Sequence, residues 1–157
     1  MRRYSRILML LPVVVLLTAA WSCNQATSQK VLNKVAVTDK AFTDSVITLH
    51  TSGDLTDDQE RQFLGWSRRI AETGNAASAA FLAGDNATAL AQINLGIGVV
   101  DDALNNGLLG IKNPDKRTAV NATLLTLRGL FTTAASFLPQ TTKGATLWQP
   151  QLSPSFA

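Results

Sequence analysis

The sequence predicts an all-α protein: an up-down-up-down antiparallel four-helix bundle, after an N-terminal signal peptide and before an irregular C-terminal tail. Three observations predict it. From Ser28 to Leu138 the apolar residues recur at intervals of three and four, the spacing that keeps side chains on one face of a helix. No alternating apolar run with a hairpin turn occurs in that stretch, so strands lack sequence support. The gaps between periodic segments are short, and short connections make successive helices antiparallel neighbours.

The leader comes first. Arg2, Arg3 and Arg6 form a basic start, Ile7 to Leu17 is an unbroken apolar run, and Thr18-Ala19-Ala20 continues it in small residues. Eleven apolar residues fall within the roughly 7–15 of a secretory signal peptide and short of the about twenty that a membrane span needs. The leader exits through Ala20-Trp21-Ser22-Cys23, and Cys23 is the single cysteine of the chain. At this point the sequence resembles a bacterial lipoprotein precursor. Ser22 suits the position before the cysteine, and Leu16, Leu17 and Thr18 give an apolar approach; Ala20 stands where Leu is preferred, and Trp21 where a small residue is usual. The resemblance implies cleavage before Cys23, a diacylglycerol on its thiol and an acylated new amino terminus. Asn24 follows Cys23, and the resemblance associates a residue other than Asp there with the outer membrane. The small-x-small pair Ala20 and Ser22 also fits ordinary signal peptidase, which would cut the same bond and leave a free thiol. A free thiol in an oxidising compartment is a liability. The expected organisation is a signal peptide over 1–22, a polar tether over 23–29, a helical bundle over 30–138 and a Pro-containing tail over 139–157.

From Cys23 onward eleven Lys and Arg meet eleven Asp and Glu. That balance gives no support for a nucleic-acid partner. One Cys and one His exclude a disulfide framework and a zinc site built from several of either.

The first bundle segment is about 28–52, with the stripe Val31/Leu32, Val35, Phe42, Val46 and Leu49, and Gly53 as its stop. The second, about 57–83, opens on a capping box of Thr56 and Gln59. Asp57, Asp58 and Glu60 place negative charge at the positive end of its dipole. Its stripe is Phe63, Trp66, Ile70, Gly74, Ala77 and Phe81. The third, about 86–106, is capped by Asp85 and striped by Leu90, Ile93, Ile97, Val100 and Leu104. The fourth, about 114–138, has Asn113 as cap, Pro114 in the first helical position and Pro139 as its close. Its stripe is Val120, Leu124, Leu127, Phe131, Ala134 and Leu138.

Candidate chemistry is sparse. His50, the single imidazole, is expected to face solvent at a helix end. The acidic run from Asp54 to Glu60 lacks the glycine and closing glutamate of a calcium loop, so capping accounts for it better. Asp101 and Asp102 point about 100° apart on a helix and are expected on a solvated face. With Glu60 and Glu72 as the only glutamates, a di-iron bundle is excluded. Arg68-Arg69 reads as a solvated spot, with an anionic headgroup contact as its functional reading. Gly96 and Gly98, with the small residues Gly74 to Ala80, suggest close approach of the second and third helices. On that basis Gly98→Leu is expected to lower the melting temperature.

No cofactor, metal or catalytic residue is assigned; Cys23 is the one site residue, as a lipidation site. The expected function is a non-enzymatic, lipid-anchored envelope protein acting as a structural or protein-interaction module, with the membrane and an envelope protein as partners. The alternative is a carrier or sensor holding an apolar ligand, such as a lipid, in a cavity left by the small residues.

Overall fold

The computed structural model describes the backbone of residues 5–138 and the side chains of residues 27–138. The leader side chains, that of Cys23 included, and the tail 139–157 lie outside the described residues. Four helices run in order: α1 Ser5–Thr51, α2 Asp57–Leu82, α3 Asn86–Asn106 and α4 Pro114–Ser136, with a 3₁₀ turn at Leu108–Gly110. The interhelical contacts join α1 to α2, α2 to α3, α3 to α4 and α4 back to α1. That is the square of an up-down-up-down bundle.

The helix ends follow local chemistry. The Thr56 hydroxyl accepts from the Gln59 amide, and the Gln59 side chain accepts from the Thr56 amide, completing the box. Asp85 accepts from the Thr88 amide, and Asn113 from Asp115 and Lys116, with Pro114 following. Gly53 and Gly84 both take φ of +78°, a left-handed conformation that glycine adopts without steric cost as the chain leaves a helix.

The core joins the buried stripes of all four helices. Leu55 and Ile111, from the connections, are buried with them and close the end away from the leader. On α3 the buried positions are Ala89, Ile93, Gly96, Val100 and Ala103. The stripe expected from Leu90, Ile97 and Leu104 is turned by one residue, and these three are only half-buried. Small residues occupy the inner line because a large ring fills the space beside them. A Cβ on Gly96 would lie 2.6–3.0 Å from the ring carbons of Phe131, and one on Gly74 would lie 3.6 Å from Val35 and 4.0 Å from Phe131.

Two expectations need correction. Gly98 has nothing within 4 Å of a built Cβ, so the close approach belongs to Gly96 and to the α4 ring. Gly98→Ala should therefore raise stability by up to about 1 kcal/mol through helix propensity; thermal unfolding of the single variant checks this, and a lowered melting point would contradict it. The first helix also begins at Ser5 rather than near the expected 28. No Pro or Gly interrupts the chain between Pro12 and Gly53, and α1 runs unbroken through the polar segment 23–29. Ser28 is buried, and Gln29 Nε2 donates to Ser78 Oγ at 2.6 Å, so the packed body begins at Ser28.

Candidate functional site

The chemistry-bearing side chains gather at the seams between helices. On the inner face of α1, the register of Leu32, Val35, Phe42, Val46 and Leu49 has one polar occupant, Asp39. Its side chain is buried in the α1–α2 seam, with the residue 6% exposed. Ser67 Oγ on α2 lies 3.2 Å from Asp39 Oδ2, Thr43 Oγ1 lies 2.6 Å from Ser67 Oγ, and Thr43 Oγ1 donates to the Asp39 carbonyl at 3.1 Å. Ser67 donates to the Asp39 carboxylate oxygen, a bond that favours its ionised form. Burial pushes the carboxyl up from 3.8 to about 6, against a smaller lowering by Ser67. Asp39 Oδ1 is buried with no hydrogen-bond partner, which adds to the cost of the ionised form.

His50 is not simply solvent-facing. Its Nε2 lies 2.9 Å from Asp57 Oδ1, and its Nδ1 3.2 Å from Glu60 Oε2. The α1–α2 turn, closed by Gly53, brings the end of one helix onto the start of the next. Both ring nitrogens lie beside carboxylates, Nε2 within hydrogen-bond distance of Asp57. The His50 hydrogen bond and charge hold the Asp57 carboxyl below its usual value.

Beside it, Lys116 Nζ donates to Asp54 Oδ2 at 2.6 Å and to Ser52 Oγ at 2.8 Å. Ser52 itself donates to Asp54 at 2.6 Å. These bonds hold Asp54 below the ordinary carboxylate range, Lys116 first. An ammonium fixed to a carboxylate is a donor, so Lys116 does not serve Ser52 as a base. The acidic run is thus divided between capping, His50 and Lys116. Among the described residues no group of His, Cys, Asp and Glu is placed to hold a metal ion.

Asp101 and Asp102 are not merely solvated. Their angular separation sends them to different neighbours. Asp101 accepts from Arg128 Nε at 2.7 Å across the α3–α4 seam. Asp102 turns to α2, where Trp66 Nε1 donates to it at 2.7 Å, and it also accepts from Asn106 and Arg69. The Trp66 bond is the largest cause of its lowered pKa. Trp66 is core, as expected, with its ring edge-on to Phe63 at 5.3 Å. Arg68 pairs with Glu72 at 2.8 Å and Arg69 with Asp102 at 3.4 Å, so neither arginine of that spot stands alone.

Two open grooves follow the α1–α4 seam. One, of about 320 Å³, lies over Asp44, Thr48, Lys116 and Val120; the other, of about 330 Å³, lies over Lys34, Val37, Thr126 and Leu130. Both are surface depressions. Inside, Phe131 occupies the space between Gly74 and Gly96 that the carrier reading required to be empty. Among the described residues no helix is long and apolar enough to cross a membrane. No protein-family model, curated protein or solved structure matches the chain.

Proposed function

We propose that this protein is a non-enzymatic, lipid-anchored component of the cell envelope, in which the bundle serves as a structural or protein-interaction module. The observation that carries the reading is the lone cysteine, Cys23, placed where a basic and apolar leader gives way to small residues. One acyl chain holds a protein to a bilayer only marginally, whereas several hold it firmly. The packed body supports an interaction module over a carrier, because its small residues are matched by the Phe131 ring. The polar groups support a scaffold over an enzyme, because His50, Lys116, Asp101 and Asp102 are all engaged in pairs that join elements.

Fatty-acid labelling in a bacterial host tests it. Wild-type protein should incorporate labelled palmitate and sediment with membranes, whereas Cys23→Ser should lose both the label and the membrane fraction. Equal labelling of the variant would refute the anchor.

A further inference from the structure

We infer that the bundle stands end-on upon an anionic lipid surface, meeting it with Lys30, Lys34 and the exposed Leu82 at the α2–α3 turn. The inference rests on the Cys23 anchor. Its own support is the distribution of charge along the rod.

The Phe131 layer, with Val35, Gly74 and Gly96, divides the bundle into two ends. On the leader side lie residues 27–34, 75–95 and 132–138, whose charged groups are Lys30, Lys34 and Asp85. On the far side the described residues carry eight Lys and Arg against ten Asp and Glu. Of the eight far-side cations among the described residues, Lys40, Arg61, Arg68, Arg69, Lys116 and Arg128 lie in ion pairs and the exposed Lys112 and Arg117 do not, so it is the net balance and not the pairing that separates the two ends. Lys30 and Lys34 are exposed, and among the described residues neither has an ion-pair partner.

Two exposed cations and one aspartate give this end a positive balance, while the far end is acidic. An anionic bilayer attracts the first at about 1 kcal/mol per lysine and repels the second. The remaining exposed surface of the near end is uncharged, small at Ala79, Ala83, Ala87 and Thr132 and larger at Asn33, Asn75, Asn94 and Leu95, so approach to the headgroups strips water from few charges. Leu82 is 71% exposed at its tip and provides an apolar contact. Leu109 is 84% exposed at the opposite tip, so apolar exposure alone does not choose the end. The chain does: Cys23 lies five residues before Ser28 and cannot be more than about 18 Å from it even fully extended. The far tip is some 30–40 Å away along helices of this length.

The test uses full-length acylated protein reconstituted in phosphatidylcholine vesicles with or without phosphatidylglycerol. Acylation of Cys23 leaves an introduced thiol free to take an environment-sensitive fluorophore, placed by Leu82→Cys or Leu109→Cys. Flotation reads the anchor, and protection of the probe from an aqueous quencher reads the docking. The expected result is protection at position 82 and not at 109, on vesicles containing phosphatidylglycerol. Replacing both lysines, Lys30→Gln with Lys34→Gln, should shift the docked-to-free ratio about thirtyfold towards free, equivalent to roughly 2 kcal/mol. Vesicles that float with position 82 as accessible as 109 would overturn the docking and leave the anchor standing. Protection at both positions would mean a bundle lying on its side and would also overturn it. Failure to float would defeat the anchor, and the docking with it.

Discussion

Phe131→Ala lowers the unfolding free energy by about 3–5 kcal/mol. The ring is fully buried, and it fills the gap between glycines on two other helices. Its loss removes the apolar transfer energy and leaves a void that Gly74 and Gly96 have no side chains to fill. Denaturant unfolding checks the value. The converse substitution, Gly96→Ala, brings a Cβ within 2.6 Å of the ring and costs about 1–3 kcal/mol by overpacking, offset by up to about 1 kcal/mol of helix propensity. In the Phe131→Ala background that clash is gone, so Gly96→Ala should turn neutral or stabilising. A Gly96→Ala penalty of the same size in both backgrounds would refute this packing.

Asp39→Asn acts in the opposite direction and stabilises the protein at neutral pH. The folded state holds the Asp39 proton more tightly than the unfolded chain, with a pKa of about 6 against 3.8. The cost of Asp39 is therefore absent below pH 3.8, grows between the two values and is complete above about pH 6. At neutral pH it amounts to about 3 kcal/mol. Asparagine keeps an amide oxygen to accept from Ser67 Oγ and carries no charge to desolvate. Unfolding measured at pH 7 and pH 4 should show a gain of that order at the first and most of it gone at the second. An equal gain at both, or none, would contradict the buried ionisation. Below pH 4 other groups decide. Asp54, Asp57, Asp85 and Asp102 all have lowered values, so whatever stability they give is present at higher pH and is lost as they protonate.

The ends of α2, α3 and α4 and the C-terminal end of α1 were legible because each is a local event, whereas the start of α1 at Ser5 was not. Thr56 with Gln59, Asp85, and Asn113 with Pro114 act on amides within three residues, and Gly53 and Gly84 need only their own backbone freedom. The pairings across seams were not legible, since they depend on the rotation of one helix against another. Asp101 and Asp102 are adjacent in sequence and bond to different helices, and His50 meets Asp57 and Glu60 only once the turn is closed. Asp39 left a readable trace. The apolar register of α1 steps by three and four except for a jump of seven from Val35 to Phe42, and position 39 is the missing step. A search restricted to apolar residues passes over it. The turned face of α3 was hidden for a related reason: side-chain size drew the stripe through Leu90 and Ile97, whereas the ring on α4 demands the small Gly96.

The intact mass of the protein recovered from membranes tests the central claim most directly, that a fatty-acylated Cys23 carries this bundle. The mass should equal residues 23–157 with acyl groups added at the first residue. A chain beginning at Met1, or one beginning at Cys23 with an unmodified thiol, would contradict it.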